Sequence, residues 1–177
     1  MKKIVVFVIV FVLITTLIGS VFFVFPVKYK EIILKYSSRF DIDSYIVASV
    51  INIESGYDKS AKSTAGAIGL MQLLPSTAEE IAHKLHKDFV EEDLYDVNIN
   101  IEYGCYYLSY LLDYFDGNIT NVLSAYNWGL NNVRNWIKEG NVDENGNIIN
   151  IPVKETKVYL KKYKINKFFY KNIYGYE

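Results

Sequence analysis

Ile53-Glu54-Ser55-Gly56, followed by Gly66-Ala67-Ile68-Gly69-Leu70-Met71-Gln72-Leu73-Leu74-Pro75-Ser76-Thr77-Ala78, is the stretch whose reading decides the fold. Just upstream, Ile46, Val47, Val50, Ile51 and Ile53 recur at three- and four-residue intervals. That pattern predicts an amphipathic helix, capped by Asp43 and stopped by Gly56. Glu54 falls seven residues after Val47 and three after Ile51, at the edge of the apolar stripe. Partial burial there desolvates the carboxyl and raises its pKa, as a proton donor to a leaving oxygen requires near neutral pH. Gly56, Gly66 and Gly69 supply turns where a bulky ligand can approach the backbone closely.

Working outward, the remaining pattern is helical. Ser76-x-x-Glu79 reads as a capping box just after Pro75, opening a helix to about His86. Residues 87–97 are polar and loop-like. Ile101, Gly104, Cys105, Leu108, Leu111, Leu112 and Phe115 form one apolar face, ended by Asp116-Gly117-Asn118. A short helix through Val122, Leu123 and Tyr126 is broken at Gly129, and another spans about Asn131 to Lys138. Gly140 to Asn150, with Asn145-Gly146 inside, reads as a loop or small β-hairpin. A last helix runs from about Val153 to Lys171. No internal repeat appears, and the length suits one all-α domain.

The first residues form a separate unit. Lys2 and Lys3 precede an uncharged run, Ile4 to Phe25, whose only polar members are Thr15, Thr16 and Ser20. About 22 residues make roughly 33 Å of helix, enough to cross a bilayer. A cleaved export signal has a shorter apolar core and a small-residue cleavage site, whereas this run ends in Val21-Phe22-Phe23-Val24-Phe25-Pro26. No cysteine lies near it for lipid attachment. The paired lysines favour a cytoplasmic N-terminus, with Lys28, Lys30 and Lys35 weakening that preference slightly. The expected organisation is a transmembrane anchor over 1–26, a juxtamembrane segment over 27–40 and a catalytic domain over 41–177. The expected location is the cell membrane, single-pass, with the domain on the extracytoplasmic side.

Composition narrows the chemistry. A formal net charge of −1 gives no whole-chain attraction to nucleic acid, so no nucleic-acid partner is expected. Cys105 is the single cysteine, so no intrachain disulfide can form, and it falls on an apolar helix face. His83 and His86 flank Leu85 in a lysine-rich segment without acidic or cysteine ligands at metal spacing, which argues against a zinc hydrolase. No metal or cofactor is expected. Sixteen tyrosines and ten phenylalanines are many for this length. Most are expected to serve packing, and some to line a sugar-binding groove.

Four blocks in order resemble the soluble lytic transglycosylases, glycoside hydrolase family 23, over roughly Tyr36 to Phe169. Glu54-Ser55 is similar to the family's catalytic Glu-Ser pair. Gly69-Leu70-Met71-Gln72, continued by Pro75-Ser76-Thr77-Ala78, is similar to its Gly-Leu-Met-Gln turn. Ala125-Tyr126-Asn127 matches the Ala-Tyr-Asn motif, and Glu155-Thr156-Lys157-Val158-Tyr159 the Glu-Thr-x-x-Tyr block. Two departures are expected to alter the groove's rim: Trp128 stands where a small residue is often found, and Leu130 where proline is common.

The resemblance implies a goose-type lysozyme fold acting on peptidoglycan glycan strands. It implies Glu54 as acid and then base, Ser55 at the cleaved sugar, and Met71 and Gln72 as groove wall. Tyr126 would hydrogen-bond Glu54 with Asn127 beside it, and Glu155 and Tyr159 would approach from the last helix. Ordinary glycosidases use two carboxylates, and no second one here matches a family catalytic position. The substrate's 2-acetamido group would then serve as nucleophile, and its 6-hydroxyl would close a 1,6-anhydro ring. A hydrolytic goose-type lysozyme would use water instead, held by a carboxylate such as Glu79, Glu80 or Asp58. A non-catalytic glycan-binding or assembly module would have no use for the Glu54-Ser55 pair.

Overall fold

A computed structural model describes residues 2–177. Its described residues fold into eight α-helices with no β-strand. They are α1 (Lys2–Val24), α2 (Lys30–Arg39), α3 (Ser44–Ser55), α4 (Pro75–Lys84), α5 (Val97–Tyr114), α6 (Ile119–Trp128), α7 (Leu130–Lys138) and α8 (Lys154–Lys167). A 3₁₀ turn, Glu91–Tyr95, precedes α5, and a π turn, Phe168–Ile173, continues α8.

Helix α3 is the central element. Val47, Ala48, Val50 and Ile51 are fully buried, and α3 packs against α2 and α8. Gly56 ends it in the left-handed region (φ 60°), with its N–H donating to the Asn52 carbonyl at 3.1 Å. Asp43 stands before α3, but its side chain makes no capping hydrogen bond. Helix α5 lies on the other side of the core and packs against α2, α4 and α6. Cys105 is buried in that core, as its apolar face predicts.

The structure redraws several boundaries. Helix α4 begins at Pro75 itself, whose fixed φ suits the first helical position, and the Ser76–Glu79 capping box does not form. It ends at Lys84 rather than His86. The polar stretch 87–97 contains the 3₁₀ turn, where the Asp93 carboxylate accepts from the Val90 N–H at 3.0 Å. Between α7 and α8 the chain makes a small hairpin-like loop with one antiparallel bridge, Val142 to Ile148. Residues 27–40 hold α2, whose Ile33, Tyr36 and Ser37 are buried in the domain core.

Helix α1 has one stretch, Lys3–Val24, long and apolar enough to cross a membrane, a property an export signal shares. Its last turn rests on the domain. Phe25 is 8 % exposed and its ring stacks on Phe169 at 3.9 Å. The Asn52 amide donates to the Val24 carbonyl at 3.1 Å, and the Tyr170 hydroxyl to the Pro26 carbonyl at 3.0 Å.

Candidate active site

Glu54 sits in the last turn of α3, partly buried, at the floor of a cleft of about 560 Å³. Gln72, Asn127, Glu155 and Tyr159 line the same cleft, joined by Ile53, Ser63, Lys154, Val158 and Lys162. Four separate parts of the chain thus meet around one carboxyl: the end of α3, the turn before α4, the end of α6 and the first turns of α8.

Burial controls this carboxyl. Desolvation pushes the Glu54 pKa from 4.5 up to about 7. A hydrogen-bonding pull from Tyr159 opposes that rise, the negative charge of Glu155 adds to it, and Lys162 works against it. The Tyr159 hydroxyl is itself buried beside Glu54, without a hydrogen-bond partner of regular geometry. A carboxyl raised into this range can hold its proton near neutral pH, the poise a group needs to act as acid and then as base.

Tyr126 plays a different part from the one expected. Its hydroxyl donates to the Met71 carbonyl at 2.8 Å rather than to Glu54. The phenol remains near the carboxyl, and burial followed by the Glu54 charge holds its pKa well above the ordinary value. Tyr126 therefore pins the turn before α4, and Tyr159 is the tyrosine that faces the acid.

Met71 is likewise not groove wall. Its side chain is 0 % exposed and fills the space left by Gly104 of α5, where an added Cβ would lie 2.2 Å from the Met71 sulfur. Gly69 serves packing. It has φ 79°, and a Cβ there would sit 2.3 Å from both the Asn100 amide nitrogen and the Leu94 carbonyl oxygen. Ser55 donates to the Leu70 carbonyl at 2.8 Å, tying this same turn to α3. Gln72 sits at φ 47°, and its Nε2 donates to the carbonyls of Gly69 (2.9 Å) and Ala61 (3.2 Å). That use of the amide nitrogen leaves Oε1 as the acceptor the side chain can offer to a ligand.

Sequence reasoning missed the residues that hold these parts. Asn100, buried in α5, accepts from the Met71 N–H at 2.8 Å and donates to the carbonyls of Ile68 (3.0 Å) and Leu94 (2.8 Å). An asparagine amid the apolar residues of α5 was its visible signal, since a buried amide needs partners. Thr156 is buried and donates to the Asn127 side-chain carbonyl at 2.8 Å. Lys162 follows Tyr159 by three positions and Glu155 by seven, so helical spacing alone places it on the cleft face.

The carboxylates suggested for holding a water lie elsewhere. Glu80 lines a second cavity with Tyr106, Tyr107, Tyr110 and Leu130. Asp58 accepts from the backbone and hydroxyl of Ser60, and Glu79 is exposed outside the cleft. The other carboxylate in the Glu54 cleft is Glu155. His83 and His86 are exposed.

Over 155 residues the chain is 30 % identical to the soluble lytic murein transglycosylase of Escherichia coli K12, covering 85 % of this chain and 24 % of that protein. The crystal structure of the 70 kDa soluble lytic transglycosylase from Escherichia coli superposes with a TM-score of 0.77 at 30 % identity, over 85 % of this chain and 25 % of that one. An inactive Glu-to-Gln mutant of the lytic transglycosylase Slt from Pseudomonas aeruginosa superposes with a TM-score of 0.76 at 26 % identity, over 86 % of this chain and 25 % of that one. The chain spans about a quarter of the length of these relatives. The profile of the transglycosylase SLT domain matches residues 31–149, and with that match the chain belongs to the SLT domain family.

Proposed function

We propose that this chain is a membrane-anchored lytic transglycosylase that cuts the β-1,4 bond between N-acetylmuramic acid and N-acetylglucosamine in peptidoglycan. The observation that carries this reading is the half-buried Glu54, with its pKa near 7, in a cleft walled by Gln72, Asn127 and Tyr159. Protonated Glu54 gives its proton to the glycosidic oxygen as the bond to the anomeric carbon breaks. The carbonyl oxygen of the 2-acetamido group bonds that carbon and spreads the positive charge. The Glu54 carboxylate then takes the proton of the 6-hydroxyl, whose oxygen attacks the anomeric carbon and displaces the acetamido oxygen. The product is a 1,6-anhydro ring, and Glu54 returns to its protonated state.

Tyr159 and Lys162 stabilise the carboxylate once the proton has gone, and Glu155 favours the protonated form before it goes. Helix α1 serves as the anchor in this reading. Support comes from its length and from Phe25, because a segment removed on export would not be expected to supply a packed ring to the domain.

Mass analysis of digested peptidoglycan tests the chemistry. The expected products carry anhydro ends, one water lighter than hydrolysis products and non-reducing. Digestion in isotopically heavy water should leave no heavy oxygen at the new terminus. Reducing ends carrying heavy oxygen would instead make the chain a muramidase and turn attention to Glu155 as the group that holds the water.

A further inference from the structure

We propose that the segment Ile165–Tyr174 is a second membrane contact, seated in the lipid–water interface beside the outer end of α1. This inference rests on the reading of α1 as a membrane span. The domain does not hang from that span on a free linker. Val21 packs partly against the core, Phe22 stacks on Tyr174 at 5.9 Å and Phe25 on Phe169 at 3.9 Å. The last helix and its π turn therefore stand level with the final turn of the apolar run, at the depth where headgroups meet acyl chains.

The surface found there fits that layer. Ile165, Phe168 and Ile173 are 54 %, 54 % and 56 % exposed. Ile165 also borders, with Phe23, Val24 and Phe25, a cavity of about 490 Å³ at the end of α1. Lys161, Lys164, Ile165 and Phe168 follow helical spacing along one stripe, and the π turn Phe168–Ile173 continues the helix from its end. Exposed Lys161 and Lys164 sit where an interfacial segment presents cations to lipid phosphates. Residues 161–171 carry five lysines and no acid, with only Lys162 lining the Glu54 cleft, so anionic lipid headgroups are the complementary partner.

Two contacts fix both the height and the tilt of the domain. Asn52, which holds the Val24 carbonyl, is two residues from Glu54, and the Glu54 cleft shares Ile53 and Lys162 with the cavity at the end of α1. The acid is thereby held close to the membrane surface, and the glycan it meets is the strand lying along that surface.

The test uses the full chain in vesicles of phosphatidylcholine and phosphatidylglycerol, with nitroxide labels at Phe168→Cys or Ile173→Cys. Phe11→Cys, within α1, and Tyr114→Cys, at the end of α5, serve as references, and Cys105 is buried. Collision with dissolved oxygen is compared with collision with a water-soluble nickel chelate. Positions 168 and 173 should show an oxygen-to-nickel ratio several-fold above that at 114, with position 11 also lipid-exposed. If 168 and 173 match 114 while 11 stays in lipid, the second contact is refuted and the anchor stands. If 11 faces water, the span reading fails and this inference falls with it.

Discussion

Glu54 carries a conflict between stability and chemistry. Unfolded, its carboxyl ionises at an ordinary pKa, whereas burial in the folded chain holds it near 7. The folded state therefore keeps a proton that the unfolded state has lost between those values. Stability contributed by this group is full below the unfolded pKa and is lost as pH rises to about 7. A shift of this size corresponds to a loss of up to about 3 kcal/mol. Glu54→Gln should consequently abolish glycan cleavage yet be more stable than the parent at pH 8, with the difference vanishing near pH 4. Thermal unfolding at the two pH values measures this, and equal melting temperatures at pH 8 would contradict the burial argument. The neighbours set the working range. Activity should fall on the alkaline side as Glu54 loses its proton near pH 7. Glu155→Gln removes a charge that raises the Glu54 pKa and should move that limb to lower pH, whereas Lys162→Met should move it higher. A pH–rate profile that stays fixed in both variants would remove them from the electrostatics of the site.

At the scale of elements, the site is a turn clamped between α3 and α5. Ser55 reaches from α3 to the Leu70 carbonyl, Asn100 reaches from α5 to three backbone groups, and Tyr126 reaches from α6 to the Met71 carbonyl. Met71 plugs the groove made by Gly104. Gly104→Ala would drive a methyl into that sulfur and should destabilise by about 1–3 kcal/mol through overpacking. Because the displaced turn also carries Gln72, activity should drop alongside. Urea unfolding checks the first effect, and a second change, Met71→Ala, should recover part of the stability by clearing the clash. Much of this region was legible in the sequence. Periodicity and Gly56 marked α3, and the motif blocks named five residues that now share one cleft: Glu54, Gln72, Asn127, Glu155 and Tyr159. The role of Met71 was not legible, because the hole it fills is created by a glycine thirty-three positions away. Nor was the partner of Tyr126: a motif names a hydroxyl, but only packing decides which acceptor lies beneath it. The 3₁₀ turn before α5 escaped notice because five residues held by the Asp93 carboxylate leave no periodic signal.

For the whole molecule, the question is whether α1 is an attachment or a part of the fold. Its last residue and the two that follow it behave as part of the fold. Phe25 is packed on Phe169, the Val24 carbonyl receives the Asn52 amide, and the Pro26 carbonyl receives the Tyr170 hydroxyl. The Asn52 contact joins the end of α1 directly to α3, the helix that carries Glu54. Burying a phenylalanine side chain contributes about 1.5–3 kcal/mol. A chain starting at residue 27 should therefore be less stable than one starting at residue 20 by about 2 kcal/mol, although neither retains the Lys3–Val24 apolar stretch. Phe25→Ala in the longer chain should reproduce most of that loss. Paired denaturant titrations decide the matter. Equal stability of the two truncated chains would mean that the domain begins after Phe25, and that residues 20–26 could be cut away without cost to the fold.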